Sequence, residues 1–198
     1  MKKNLTVEEF DALPKNEKAV LVAKDVLEQI KLKKYIPNAG SYIKRNWDFD
    51  ALKDLGLKKK DDVRNNFDKI PPCKVCALGS MLLSCTKLGN RLTFNDVDII
   101  NGARIDSLNK PKIKKLFNSI FDGYQLLLIE NAFEGASSNG DRYAKDILGH
   151  KLSDSDYNKC DDFYYMYSGY GGFSDESTHN RMVAICENII KNKGTFVL

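Results

Sequence analysis

The spacing of apolar residues constrains this chain most: it repeats every three to four positions in segment after segment and seldom alternates. Near the C-terminus Met182, Ile185, Cys186, Ile189 and Ile190 share one helical face. Ser174 or Asp175 is placed to cap that helix and Gly194 to close it. Ile113, Leu116, Phe117, Ile120 and Tyr124 form a second face behind the start signals Asn109 and Pro111. Leu78, Met81, Leu82 and Cys85 form a third, on a helix expected from Cys76 to Leu88. Ala19, Ala23, Val26, Leu27 and Ile30 form a fourth, expected to run from an Asn16 cap to Lys33. Thr6-Val-Glu-Glu9 is a capping box that opens a short helix to Leu13, ended by Pro14. Strand–helix alternation is missing. The expected fold class is therefore mainly α, a compact helical domain of about seven or eight helices with minor extended segments.

A chain of 198 residues fits a single domain spanning 1–198. With 42% hydrophobic and 29% charged residues, it lacks the composition of a disordered chain. Its net charge of +4 is mild, and the runs Lys31–Lys34, Lys58–Lys60 and Lys112–Lys115 are scattered beside helical stripes. That pattern reads as solvated helix faces and argues against nucleic acid as the partner. The five cysteines are odd in number and two lie inside apolar stripes, which predicts reduced thiols and a cytoplasmic setting. Met1-Lys-Lys3 leads into a capped helix, so no secretory leader is expected. The longest apolar run, Leu126–Ile129, is far short of a membrane span.

Elsewhere, Tyr35 to Gly40 reads as a turn leading into an extended piece at Ser41–Lys44. Asp48–Leu55 and Lys60–Phe67 read as short helices, with Gly56 stopping the first. Asn95 or Asp96 starts another, to Asn101. The face begun at Ile113 is expected to continue through Leu127, Leu128 and Phe133, with Gly123 as a kink or an end. From Ala136 the periodicity weakens. A short helix is expected at Asp141–Leu148, and Phe163–Tyr167 is undecided between strand and helical turn. Residues 136–173 read as an inserted functional loop or lobe.

Two segments carry chemistry. The first is Cys73-Lys-Val-Cys76-Ala-Leu-Gly79-Ser80. A thiol at a helix N-terminus meets free amide N–H groups that stabilise a thiolate. Cys76, Gly79 and Ser80 share a small-residue face open to a ligand's phosphate or carboxylate, or to a closely packed neighbour. A Cys76 nucleophile would need a base, for which His179 is a candidate with Asp175 or Asn180 as orienter. Cys73-x-x-Cys76 is half of a zinc motif without its other half, so no metal and no cofactor are expected. The second segment gathers Tyr157, Phe163, Tyr164, Tyr165, Tyr167, Tyr170 and Phe173 among glycines. Tyrosines stack on bases or sugars, and Arg142 or Arg181 could supply a phosphate contact. The same residues could pack a loop onto the body, or form a homo-oligomer interface.

Cys76-Ala-Leu-Gly-Ser-Met81 and the stretch from Arg181 to Phe196 resemble a group of small bacterial and bacteriophage proteins in which a Cys-Ala-Leu-Gly helix start precedes a polar turn and a closing helix. Phe173-Ser-Asp175 stands where that turn falls. The resemblance implies a phage accessory protein in the host cytoplasm and no particular activity. The expectation that joins these readings is a small-molecule binding protein that sequesters a nucleotide-derived defence signal through Cys76, Gly79, Ser80, Arg142, Tyr165, Tyr167, Tyr170 and Arg181. The alternatives are a cysteine-dependent hydrolase or transferase using Cys76, His179 and Asp175, and a protein-binding inhibitor of a host factor.

Overall fold

The computed structural model describes residues 5–45, 49–89, 92–99, 110–135, 149–168 and 174–198. Among them it holds nine α-helices, one 3-10 helix and a three-stranded sheet. In chain order they are α1 (Val7–Ala12), α2 (Lys15–Lys31), β1 (Tyr35–Pro37), β2 (Ile43–Arg45), α3 (Phe49–Asp54), the 3-10 turn Arg64–Lys69 and β3 (Cys73–Val75). Then follow α4 (Ala77–Gly89), α5 (Phe94–Ile99), α6 (Pro111–Asn118), α7 (Gly123–Glu134), α8 (Asp154–Ser168) and α9 (Asp175–Lys191). The chain is mainly helical, as its periodicity predicts, and no described helix is long and apolar enough to cross a membrane.

The helix boundaries follow local chemistry. The capping box of α1 is complete: Glu9 N–H donates to Thr6 Oγ1 and Thr6 N–H to Glu9 Oε2. α2 begins one residue before the expected cap, since Pro14 supplies the fixed φ of a helix entry and leaves Asn16 inside. Asp122 caps α7 through Gln125 N–H, so the stripe from Ile113 to Phe133 is two helices rather than one kinked helix. Ser174 caps α9 through Ser177 N–H. Gly194, at φ +101°, closes that end against the backbone of Asn16, where a Cβ would lie 2.2 Å from the Asn16 carbonyl oxygen.

α4 is the centre of the molecule. Eleven of its thirteen residues are buried, including the polar Ser80, Ser84 and Thr86. It packs against α1, α2, α6, α7 and the 3-10 turn, while α9 lies across α2, α7 and α8. The hydroxyls within α4 are satisfied locally: Thr86 donates to Leu82 O and Ser80 to Ala77 O. A short sheet covers the helix entrance. β3 lies in the middle, parallel to β1 and antiparallel to β2.

Three expectations change. Tyr35–Pro37 is a strand rather than a turn, and Cys73–Val75 is its unexpected central partner. Strands of three residues are too short to show alternation, so neither was legible. Lys60–Phe67 is not an α-helix; Asp62 forms an antiparallel bridge with Thr93, and only a 3-10 turn follows. In the segment read as an inserted loop, residues 154–168 form a helix of the body. Cys160, Phe163 and Tyr164 are its buried face against α7 and α9. The rest of that segment, with the expected helix at 141–148, lies outside the described residues.

Candidate functional site

The sequence-derived site residues fall into two places, divided by α9. The first lies under the N-terminus of α4. Cys76 sits at the cap position, 3% exposed, and its Sγ accepts from Gly79 N–H at 3.5 Å. The thiol therefore stands where the expected thiolate would be stabilised. Its surroundings reverse that expectation: burial pushes the Cys76 thiol well up, and the charge of Glu134 adds to it, against the pull of Gly79 N–H. The neighbouring small residues admit protein, not ligand. A Cβ on Gly79 would lie 1.6 Å from the Tyr42 carbonyl oxygen, so the Tyr42 backbone occupies that space. Ser80 is fully buried and contacts Met182 Sδ of α9.

Around Cys76 the fold gathers polar groups that the sequence reading missed. Glu130 and Glu134 sit one helical turn apart on α7. Glu134 accepts from Gly40 N–H at 2.8 Å, and Tyr42 Oη donates to Glu130 Oε1 at 3.5 Å. Glu130 Oε2 has no hydrogen-bond partner and no contact with solvent. Burial raises the Glu130 carboxyl to about 8, and the charge of Glu134 works in the same direction. Burial, then Glu130, raises the Tyr42 hydroxyl as well. A Glu placed directly after an apolar run was the available signal: Leu126–Ile129 followed at once by Glu130.

Arg181 closes this cluster from the α9 side. It is fully buried, with its guanidinium 4.3 Å from the Tyr164 ring centroid and 5.5 Å from that of Phe133. It donates to Ser168 Oγ, and Ser168 donates to Tyr164 O. Burial lowers the guanidinium's pKa, opposed by Tyr164 and Glu134. The expected role in gripping a solvent-borne phosphate is therefore corrected: this cation ties α7, α8 and α9 together from within.

The second place is an open groove of about 430 Å³ between α8 and α9, lined by Met166, Tyr167, His179, Asn180, Val183, Ala184 and Glu187. Here the structure brings together Tyr167 and His179, predicted for different roles. Tyr167 packs against Phe163 at 4.7 Å between centroids with the ring planes tilted by 47°, which fixes its ring. Tyr165 and Met166 stand out from α8, each 71% exposed. Cys76 does not line this groove, and its charged neighbours are the two glutamates, so the nucleophile–base pairing of Cys76 with His179 is not formed. Asp175 and Asn180 are exposed. Tyr170 and Arg142 lie outside the described residues.

None of the five cysteines is in a disulfide, and all five are buried. Among the described residues no group of three His, Cys, Asp or Glu could hold a metal ion. An enclosed apolar void beside Tyr35, Phe67 and Phe94 measures about 10 Å³, the size of a packing gap. No family model, no curated protein and no solved structure matches the chain.

Proposed function

We propose that this protein binds a small planar ligand in the groove between α8 and α9 and performs no chemistry on it. The observation that carries the reading is the composition of that groove. It offers an aromatic ring already fixed by packing (Tyr167), a soft apolar contact (Met166), and hydrogen-bonding side chains at His179, Asn180 and Glu187. An aromatic platform ringed by a few polar groups suits a nucleobase-like molecule. Among the described residues the groove lining contains no Arg or Lys, so on this reading a phosphate contributes little to affinity. On the resemblance of Cys76–Met81 and the C-terminal helix to small phage proteins, such binding would withhold a nucleotide-derived signal from its receptor.

Calorimetric titration with purine nucleosides and their 5′-monophosphates tests this. Nucleosides should bind, monophosphates no more tightly, and His179→Ala with Asn180→Ala should weaken binding about tenfold or more, the loss of one or two hydrogen bonds. The absence of nucleoside binding, or binding indifferent to both substitutions, would overturn it. The exposure of Tyr165 and Met166 favours a second reading, a protein-docking helix face. Loss of a protein partner on Tyr165→Ala and Met166→Ala, with no nucleoside affinity, would establish that reading instead.

A further inference from the structure

The loop between β1 and β2 is fastened to α7 by two contacts only one turn apart. Gly40 N–H donates to Glu134, and Tyr42 donates to Glu130. The same loop covers the N-terminus of α4. Cys76 N–H donates to Tyr42 O at 3.2 Å, and the Tyr42 backbone rests on Gly79. Glu130 meets Glu134 from its own helix, Tyr42 from the loop and the Cys76 thiol from the entrance to α4. Beyond them, Arg181 of α9 faces Glu134 and the Tyr164 ring of α8. The one fixed positive charge in this set thus sits on the Glu134 side. Glu130 has a single long hydrogen bond and an enclosed second oxygen.

We propose that the Glu130–Glu134 pair is a proton-operated latch that holds the β1–β2 loop over Cys76, closed while Glu130 keeps a proton and released when it loses it. Glu130 has one oxygen enclosed without a partner and lies one helical turn from the half-exposed Glu134, so it does not ionise until water reaches it. The loop carrying Gly40 and Tyr42 is fastened to α7 through the Glu130 and Glu134 side chains, so it is the element whose release would admit water. Its release uncovers a thiol that is 3% exposed when the latch is shut. The direction follows from linkage. Glu130 is held at about 8 in the closed form, against an ordinary value of 4.5. The closed form therefore keeps a proton that the open form gives up. Its advantage is full below the ordinary value and is lost as pH rises to about 8.

Amide hydrogen exchange on the full chain, followed by NMR from pH 6 to 9 and corrected for intrinsic exchange rates, tests the latch. The probes are the Gly40 and Cys76 amides, with α9 amides as the reference. The opening constant of the probes should climb up to about tenfold per pH unit and level off above about 8, the limit for one proton. In Glu130→Gln the climb should vanish while the α9 amides stay unchanged. In Glu134→Gln the levelling-off should move to lower pH. A pH-independent opening constant in the wild-type chain overturns the proposal even if Glu130→Gln fails to fold. A slope kept in Glu130→Gln, or a levelling-off unmoved in Glu134→Gln, overturns it as well.

Discussion

The two sides of α9 are made from one continuous stretch of sequence, yet they obey different rules. Inward, Ser177, Thr178, Arg181 and Met182 are buried, and each of the three polar side chains makes a hydrogen bond. Thr178 donates to Pro37 O, Ser177 to Ser174 O, and Arg181 to Ser168. Outward, His179, Asn180 and Glu187 are exposed along an open groove. A buried polar group without a partner costs about 1–3 kcal/mol, so residue identity inside is dictated by the neighbours. Outside, the fold exerts little pressure, and a polar or aromatic residue there is free to serve a ligand. Cys76, Gly79, Ser80 and Arg181 belong to the first regime and Tyr165, Tyr167 and His179 to the second, although the sequence offered all of these but His179 as one ligand set.

The sharpest way to break this division is at its tightest point. At pH 6, with the loop closed, the new methyl of Gly79→Ala would enter the Tyr42 carbonyl, a backbone atom rather than the end of a flexible side chain. The loss should exceed about 4 kcal/mol, the range reserved for severe overpacking. Urea denaturation followed by circular dichroism measures it. A loss near 1 kcal/mol would mean that the loop over α4 is loosely held and that a ligand could enter there after all.

Arg181→Ala comes next, with an expected loss of about 3 kcal/mol from the emptied volume and the stranded Tyr164, Phe133 and Ser168 contacts. The same denaturation experiment reads it. An unaltered midpoint would move Arg181 to the functional side of the comparison and restore it as a ligand contact. Ser174→Ala should cost about 1 kcal/mol through loss of the α9 cap. A much larger loss would show that the start of α9 is held by more than its cap.

What the sequence revealed follows the same line. Helices long enough to repeat their apolar period, such as α2, α4 and α9, were legible to within a residue or two, and the caps at Thr6 and Ser174 mark two real starts, whereas the Asp122 cap of α7 was not read from the sequence. Pattern alone could not reveal β1 and β3, because three residues hold no period and their pairing spans about forty positions. α8 was obscured because its acidic first half and aromatic second half dilute the stripe of Cys160, Phe163 and Tyr164. The chemistry at Cys76 was misjudged for a related reason. A helix N-terminus favours a thiolate only when solvent or a cation reaches it, and the Tyr42 backbone and two glutamates arrive from distant parts of the chain.

The smallest expected effect tests the outer side. His179→Ala removes an exposed ring from the first turns of α9 and touches none of the buried contacts of that helix. Tyr165→Ala removes a side chain that is 71% exposed. Alanine is the better helix former in both places, so each change should stay within about 0.5 kcal/mol of wild type. Differential scanning fluorimetry of the two variants, with and without adenosine, separates stability from binding. The comparison predicts a melting temperature unchanged in buffer, and a ligand-induced rise that is lost in His179→Ala. A large fall in buffer would place His179 among the residues the fold depends on. The groove would then be a by-product of packing rather than a surface spared by it.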